Sequence, residues 1–239
     1  MRIQDDESLD DLLHGELKLL QKKRGYRYSV DALLLASFAL PLASSGTLLD
    51  MGAGSGVIAL ILAQRGTPSR VVAVELQPVL AEMARRNAEL NRTEPRVEVI
   101  EADAVRLHER LPGLKFDLIV SNPPFRPRGS GRASLHPEKA LARHELGMDL
   151  PSWLREAVRL LAPGGSLCLV YPVDQEDRLL REALAAGLHP VRKQYAVDRP
   201  GGSRKLLLVE LRARPGRLRV LPELAIETEE GKFSLDGYR

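Results

Sequence analysis

The stretch from residue 46 to 75 constrains the fold most. An apolar run, GTLLD, leads directly into MGAGSG and then into VIALILAQR, and a second apolar run, VVAVE, ends in an acidic residue. Glycines at alternate positions after a strand let the backbone turn tightly and approach a ligand at the start of a helix. The pattern predicts a parallel β-α-β unit that binds a nucleotide-like cofactor. The predicted cofactor residues are Asp50, Gly52, Gly54, Gly56 and Glu75, the last holding a ribose hydroxyl.

A third predicted strand, 96–100, is followed by EADA, which places Asp103 just beyond the strand end. In an open parallel sheet, ligands bind at the carboxyl ends of the strands. Asp103 is therefore predicted to accept a hydrogen bond from the cofactor's adenine amine. The alternative is that Asp103 only caps the following helix.

The sequence FDLIVSNPPF, residues 116–125, predicts a fourth buried strand that stops at a polar amide. Two prolines hold the chain extended after Asn122 and cannot donate from the backbone. Asn122 and the Pro123 carbonyl can then accept hydrogen bonds from an exocyclic amine, and Phe125 can stack on the planar group that bears it. These three residues are the predicted catalytic set, with Phe125 as ordinary core the alternative.

The composition argues against a disulfide-rich, a metal-binding and a membrane-spanning protein. Cys168 is the only cysteine, lies in an apolar run and is predicted to be a buried structural thiol, and the five histidines lack ligand spacing, so no metal is predicted. The longest apolar runs are too short to cross a bilayer, and the N-terminus is acidic rather than a signal sequence. A cytoplasmic protein without membrane contact is expected.

The net charge of +3 is modest, but two segments concentrate positive charge. One precedes the core and the other is a Gly, Ser, Pro and Arg-rich loop after NPPF, 126–137. Beside a motif that handles an amine, this charge favours the phosphates of a nucleic acid, and a solvated loop is the alternative. The predicted substrate-binding residues are Lys22, Lys23, Arg24, Arg126, Arg128 and Arg132.

The remaining segments complete an α/β domain. Later strands are predicted at 166–171, 189–197 and 205–212, and the short turn 199–203 makes the last two antiparallel. Residues 1–15 are predicted to end in a short helix, and Trp153 is predicted to pack. The predicted division is an N-terminal arm and helix at 1–45, a core domain at 46–213 and an appendage of short strands at 214–239.

Asn122-Pro123-Pro124-Phe125 resembles the (D/N/S)PP(Y/F) signature of S-adenosylmethionine-dependent amino-methyltransferases. Nearly the whole chain resembles the bacterial family of tRNA adenine methyltransferases that modify the adenine beside the anticodon of a valine tRNA. The segments that carry this resemblance are GYRYSVDALLL, DMGAGSGVIALILAQR, VAVELQP, RRNAELN, NPPF, ARHE and LAPGGSL. The 126–137 loop is longer and more basic than in the family, and LPELAI follows its pattern only loosely.

The resemblance implies a class I methyltransferase with a Rossmann-like, seven-stranded sheet, parallel except for one reversed strand, and helices on both faces. It implies S-adenosyl-L-methionine as cofactor and methyl transfer to the adenine amine of tRNA at the anticodon arm. The binding and catalytic positions that it implies are Gly52, Gly54, Glu75, Asp103 and Asn122, so that Asn122 also contacts the cofactor. It also implies that Tyr26, Ser29 and Asp31 close over the cofactor, although Tyr26 is equally consistent with packing. The alternatives are a glutamine methyltransferase of release factors, a guanine-N2 methyltransferase of ribosomal RNA and a non-enzymatic RNA-binding module.

Overall fold

The computed structural model describes residues 3–24, 27–44, 46–123, 150–228 and 231–232. Its α-helices are α1 (Val30–Ala39), α2 (Val57–Arg65), α3 (Pro78–Leu90), α4 (Leu107–Arg110), α5 (Leu150–Leu160) and α6 (Glu176–Ala185). Its first strands are β1 (Glu7–Leu12), β2 (Leu17–Lys22), β3 (Thr47–Met51), β4 (Arg70–Glu75), β5 (Val97–Glu101) and β6 (Phe116–Ser121). The later strands are β7 (Leu161–Pro172), β8 (His189–Val197), β9 (Arg204–Arg212), β10 (Arg219–Val220), β11 (Leu224–Ala225), β12 (Glu227–Thr228) and β13 (Gly231–Lys232).

The central sheet has the strand order β10-β8-β9-β7-β6-β3-β4-β5, with β11 also pairing with β8. Strand β9 runs antiparallel to both of its neighbours, and the other pairs in this sheet are parallel. The predicted parallel sheet with one reversed strand is confirmed. The predicted count of seven is exceeded because the two-residue strands β10 and β11 extend the sheet beyond β8.

Alternate residues of the central strands face two separate cores. Leu48 and Leu118 pack in a cluster with α1 and α2, whereas Leu49 and Ile119 pack in a second cluster with α5 and α6. Both faces are therefore covered by helices, as predicted. This burial explains why the strands are continuous apolar runs. Cys168 lies at 0% exposure in the first cluster, and burial raises the pKa of its thiol to about 12, which confirms a structural thiol.

The N-terminal segment differs from the prediction. Instead of a short helix, residues 7–12 form β1, which pairs antiparallel with β2 through the register Glu7 with Lys22 and Leu12 with Leu17. The acidic side chains of this segment find cationic partners in that arrangement: Glu7 pairs with Arg86 at 2.7 Å and Asp10 with Arg27 at 2.5 Å. These tertiary contacts override the weak helical pattern.

The strand order creates a switch point between β3 and β6. From β3 the chain builds outward through β4 and β5 on one side, and through β6 and β7 on the other. Crossover connections diverge at such a point and leave a crevice outside the carboxyl ends of the two strands. The glycine loop follows β3 and Asn122 follows β6, so both predicted sites lie at this crevice.

Candidate active site

The glycine loop adopts a conformation that requires glycine. Gly52, Gly54 and Gly56 have φ angles of +82°, +57° and +84°, in the left-handed region that side chains disfavour. The N–H groups of Gly52 and Ala53 both donate to the Val74 carbonyl at 2.9 Å, which joins the loop to β4. A Cβ at Gly52 would lie 3.2 Å from Trp153, so the loop is also closely packed.

Glu75 closes the loop from the end of β4. Its Oε2 accepts from Gly54 N–H at 2.8 Å and its Oε1 accepts from Gln77 N–H at 2.8 Å. Burial raises the pKa of Glu75, and the hydrogen bonds from Gln77 and Gly54 oppose that shift. The carboxylate therefore lies against the glycine loop, where the sequence predicts the ribose contact.

Asp50, near the end of β3, has 0% exposure. Its Oδ2 accepts from Ala59 N–H at 3.0 Å, while its Oδ1 has no hydrogen-bond partner among the described residues. Burial is the main cause that raises the pKa of Asp50 to about 7, and the charge of Glu75 adds to it. A buried carboxylate oxygen without a partner costs free energy unless a ligand or water donates to it.

Asn122 and the glycine loop follow neighbouring strands. The register pairs Asp50 with Val120, and one residue further on the Ser121 hydroxyl bonds the Met51 carbonyl at 2.6 Å, so the residues that follow, Asn122 and Gly52, leave neighbouring strand ends. Asn122 is partly buried and Pro123 is buried. The strand ends at Ser121, directly before Asn122, which agrees with the predicted stop at that residue.

Ser121 holds this arrangement in place and was missed by the sequence analysis. Its hydroxyl, on a residue with 0% exposure, donates to the Met51 carbonyl at 2.6 Å and accepts from Trp153 Nε1 at 3.1 Å. The residues before Asn122 and before Gly52 are thus joined to each other and to α5. Trp153 is buried, as predicted for a packing residue. The only sequence signal for Ser121 is a small polar residue between an apolar strand and Asn122.

The other predicted cofactor residues are distributed as follows. Asp103 is partly buried, and its Oδ1 accepts from Val105 N–H at 3.1 Å, which is the capping contact of the alternative interpretation. Ser29 precedes α1 at the N-cap position without a side-chain capping bond, and Asp31 lies in the first turn of α1. Their contact with a cofactor stays a prediction. Tyr26 lies outside the described residues.

Three of the six predicted substrate-binding residues, Lys22, Lys23 and Arg24, lie within the described residues. Lys22 Nζ pairs with Asp6 at 2.8 Å, and Lys23 Nζ donates to the Asp5 carbonyl at 2.9 Å, so both contribute contacts within the N-terminal hairpin. Arg24 is exposed. Contact of these cations with RNA stays a prediction. Phe125, Arg126, Arg128 and Arg132 lie outside the described residues.

These features fit S-adenosylmethionine. The loop offers close backbone approach, Glu75 offers carboxylate oxygens, and the unpartnered Asp50 Oδ1 offers a buried acceptor. Among the described residues, no three His, Cys, Asp or Glu side chains converge as a metal-binding group, and no helix there is long and apolar enough to span a membrane. The strand order together with this site defines a class I methyltransferase.

Comparison with known proteins gives the same class and a narrower family. The family model described as methyltransferase small domain matches residues 29–193. The chain is 36% identical over 209 residues to a tRNA1(Val) (adenine(37)-N6)-methyltransferase from Aeromonas hydrophila, covering 87% of this chain and 85% of that one. It is 34% identical to the protein of the same name from Parabacteroides distasonis, covering 78% and 77%. The chain belongs to the tRNA1(Val) (adenine(37)-N6)-methyltransferase family.

Solved structures share the fold. A predicted O-methyltransferase from Agrobacterium tumefaciens superposes with a TM-score of 0.59 at 27% identity, covering 83% of this chain and 88% of that one. A putative RNA methyltransferase from Pyrococcus horikoshii gives a TM-score of 0.57 at 14% identity, covering 82% and 88%. At that identity the second similarity supports the fold alone.

Proposed function

We propose that the protein transfers a methyl group from S-adenosylmethionine to the exocyclic amine, N6, of an adenine in tRNA. The observation that carries this proposal is the bond between the Ser121 hydroxyl and the Met51 carbonyl, which joins the ends of the two neighbouring strands that Asn122 and Gly52 follow. An amine acceptor motif and a cofactor loop are thereby held at one sheet edge. The relatives named above methylate adenine 37 of tRNA1(Val), and we propose the same base, in the anticodon arm, for this protein.

The residues suit a reaction that depends on positioning. An adenine amine is a poor nucleophile because its lone pair is delocalised into the ring. Asn122 Oδ1 and the Pro123 carbonyl can each accept one of its N–H groups, which favours a tetrahedral nitrogen with its lone pair directed at the electrophile. The bound cofactor supplies that electrophile, a methyl group on a sulfonium sulfur.

The chain needs no strong base before transfer. In the proposed reaction the N–CH3 bond would form as the CH3–S bond breaks, and the positively charged N6 would then lose a proton to water. The glycine loop, Glu75 and Asp50 would hold the cofactor, and the bond between the Ser121 hydroxyl and the Met51 carbonyl would keep the loop and Asn122 at a fixed spacing. Phe125 is proposed to stack on the adenine once the base leaves its neighbours.

The test is transfer of labelled methyl into tRNA from cells that lack this gene, with release factors as a parallel substrate. We expect label in tRNA as N6-methyladenine. An anticodon-arm fragment with adenine 37 and a matched fragment with guanine there locate the base. Label only in a release factor would replace the proposal with glutamine methylation.

Asn122 variants test the mechanism in the same assay. Asn122→Ala should lower turnover roughly 10²–10³-fold, the loss expected for one preorganised polar contact. Asn122→Asp retains acceptor oxygens and should lose less. A loss below about threefold for Asn122→Ala, with intact cofactor binding, would remove Asn122 from the proposed role.

We also propose a cytoplasmic location, because tRNA and S-adenosylmethionine are both available there and no described helix could span a membrane.

A further inference from the structure

Asn87, on α3, joins two parts of the molecule that are distant in sequence. Its side chain has 0% exposure. Its Oδ1 accepts from Leu20 N–H at 2.7 Å, and its Nδ2 donates to the Leu20 carbonyl at 3.1 Å and to the Ser55 carbonyl at 3.0 Å. Leu20 belongs to the N-terminal hairpin, and Ser55 lies between two glycines of the cofactor loop.

The amide can have only one orientation here. Exchanging oxygen and nitrogen would set the amide nitrogen against Leu20 N–H, a donor against a donor. Both N–H groups of the amide are thereby used, one toward each partner carbonyl. A single, fully buried side chain therefore makes the hydrogen bonds to both the hairpin and the glycine loop.

Helix α3 also packs on the loop one turn earlier. A Cβ at Gly56 would lie 3.2 Å from Ala84 Cβ, so the helix backbone approaches the loop closely. Residues three apart on a helix share a face, which puts Ala84 and Asn87 against the same part of the loop. From the sheet side, Glu75 Oε2 accepts from Gly54 N–H. The loop is thus held between Glu75 and Asn87.

Asn91 provides an internal comparison, because it repeats half of this arrangement. Its Oδ1 accepts from Lys18 N–H at 2.8 Å and its Nδ2 donates to the Lys18 carbonyl at 2.7 Å. Lys18 and Leu20 are two apart on β2 and turn their backbone groups to one side, where two asparagines satisfy them. Among the described residues, Asn91 contacts Lys18 of the hairpin and the backbone carbonyl of Asn87, but not the glycine loop.

The hairpin also holds the end of the segment that leads into α1. Gln21 has 1% exposure, and its Oε1 accepts from Tyr28 N–H at 3.0 Å. Glu7 accepts from both terminal nitrogens of Arg86, at 2.7 and 2.9 Å. Displacing β2 would therefore displace Tyr28, two residues before α1.

We propose that Asn87 is a positioning residue that couples the cofactor loop to the N-terminal hairpin. Cofactor bound on the loop then stabilises the docked hairpin, and the docked hairpin raises cofactor affinity by the same factor, because coupling between two sites is reciprocal. This inference rests on the loop as the cofactor site and is independent of which nucleic acid is methylated.

The first test measures binding of S-adenosylhomocysteine, without turnover. Asn87→Ala should raise its Kd about tenfold, and the matched variant Asn91→Ala about twofold or less, since only Asn87 reaches the loop. Equal effects of the two substitutions would overturn the coupling. Absence of binding to the wild-type protein would instead overturn the cofactor site itself.

The second test needs no variant and remains decisive if Asn87→Ala does not fold. Saturating S-adenosylhomocysteine should slow hydrogen exchange of the Lys18 and Leu20 amides by at least about fivefold. The Ile226 amide, which donates to Val197 at the far edge of the sheet, serves as control and should change less than about twofold. Hairpin amides that respond no more than Ile226 would refute the proposal. In an Asn87→Ala protein that folds, S-adenosylhomocysteine should no longer slow exchange of the Lys18 amide, although that amide keeps its hydrogen bond to Asn91.

Discussion

The Ser121 hydroxyl donates to the Met51 carbonyl at 2.6 Å and so fastens the end of β6 to the end of β3. The next residues are Asn122, the proposed acceptor of the adenine N–H groups, and Gly52, the first glycine of the loop. The same hydroxyl accepts from Trp153, whose ring lies against Gly52. Catalysis by positioning depends on sub-ångström placement of two reactants, so this bond supports the proposed reaction directly.

Removing the hydroxyl should reduce turnover more than removing the indole donor. Ser121→Ala leaves both the Met51 carbonyl and Trp153 Nε1 without their partner, so we expect a loss of about 1–3 kcal/mol in unfolding free energy. We expect turnover to fall about tenfold as the acceptor shifts from the loop. Urea unfolding and methyl transfer to tRNA measure the two effects.

The matched control is Trp153→Phe, which removes the donor and keeps the bond between Ser121 and Met51. It should lose stability by a similar amount through the smaller ring, with turnover within about threefold of wild type. Equal turnover losses in the two variants would show that the Ser121 bond to Met51 has no separate role.

Alanine substitutions at Gly52 and Gly113 distinguish the effect of backbone strain from the effect of a close side-chain contact. Both have positive φ angles, +82° and +78°, so an alanine at either site should cost about 1–2 kcal/mol. A Cβ at Gly52 would meet Trp153 at 3.2 Å, whereas one at Gly113 meets nothing within 4 Å. We expect Gly52→Ala to raise the Kd for S-adenosylhomocysteine at least about tenfold and Gly113→Ala to leave it unchanged. Similar binding by both variants would argue against the loop as the cofactor site.

The sequence was most informative where the local signal was strong. Predicted α2 matches the observed helix, Val57–Arg65, and the strands that precede Gly52 and Asn122 lie within one residue of their predicted ends. These segments combine buried apolar runs with glycine or proline at their ends, which are strong local signals for where an element begins and ends.

The N-terminal hairpin and the hydrogen bonds of Ser121 to Met51 and Trp153 could not be predicted in this way. β1 is an acidic segment whose strand conformation depends on Arg86, far along the chain. Ser121 finds its partners 70 and 32 residues away. Asn87 likewise bonds Leu20 and Ser55, which are 67 and 32 residues away. A short polar side chain in a sequence does not reveal such partners, because many local environments would satisfy it equally well.

A basic surface at the outer edge of the sheet should contribute to RNA affinity. Residues 213–220 are all exposed, and Arg214, Arg217 and Arg219 lie among them. β10 is four strands from β6, which is about 19 Å at normal strand spacing. Replacing the three arginines by alanine should raise the KM for tRNA and reduce its salt dependence, with kcat at saturation unchanged.

A control for this surface removes equal charge elsewhere. Arg106, Arg110 and Arg181 are exposed and lie outside residues 213–220: Arg106 directly precedes α4, Arg110 ends it, and Arg181 lies on α6. Their replacement by alanine should change the salt dependence of KM much less. If both triple variants shift KM alike, the effect reflects net charge and not a contact surface.

The buried Asp50 carboxyl should make the free protein less stable as pH rises. Burial raises its pKa from 3.8 to about 7 in the folded protein. Between these values the folded form retains a proton that the unfolded form has released, so the unfolding free energy falls with pH. The slope can reach about 1.4 kcal/mol per pH unit for one group. Glu75, whose pKa is also raised by burial, acts in the same direction.

Acidic groups with lowered pKa values do not mask this effect. Hydrogen bonds from Lys22 and Arg86 lower the pKa values of Asp6 and Glu7, so their contributions are lost only as pH falls below about 4.5. Urea unfolding of the cofactor-free protein from pH 5 to 8 measures the slope, and Asp50→Asn should flatten it because no charge is then buried.

The same substitution should weaken binding of S-adenosylhomocysteine about tenfold at pH 8, since a charged acceptor is replaced by a neutral amide. The buried Asp50 carboxylate would then lower the stability of the free protein while providing an acceptor oxygen for the cofactor. A wild-type stability that is flat or rising between pH 5 and 7, or an unchanged slope in Asp50→Asn, would show that the buried carboxyl does not titrate there.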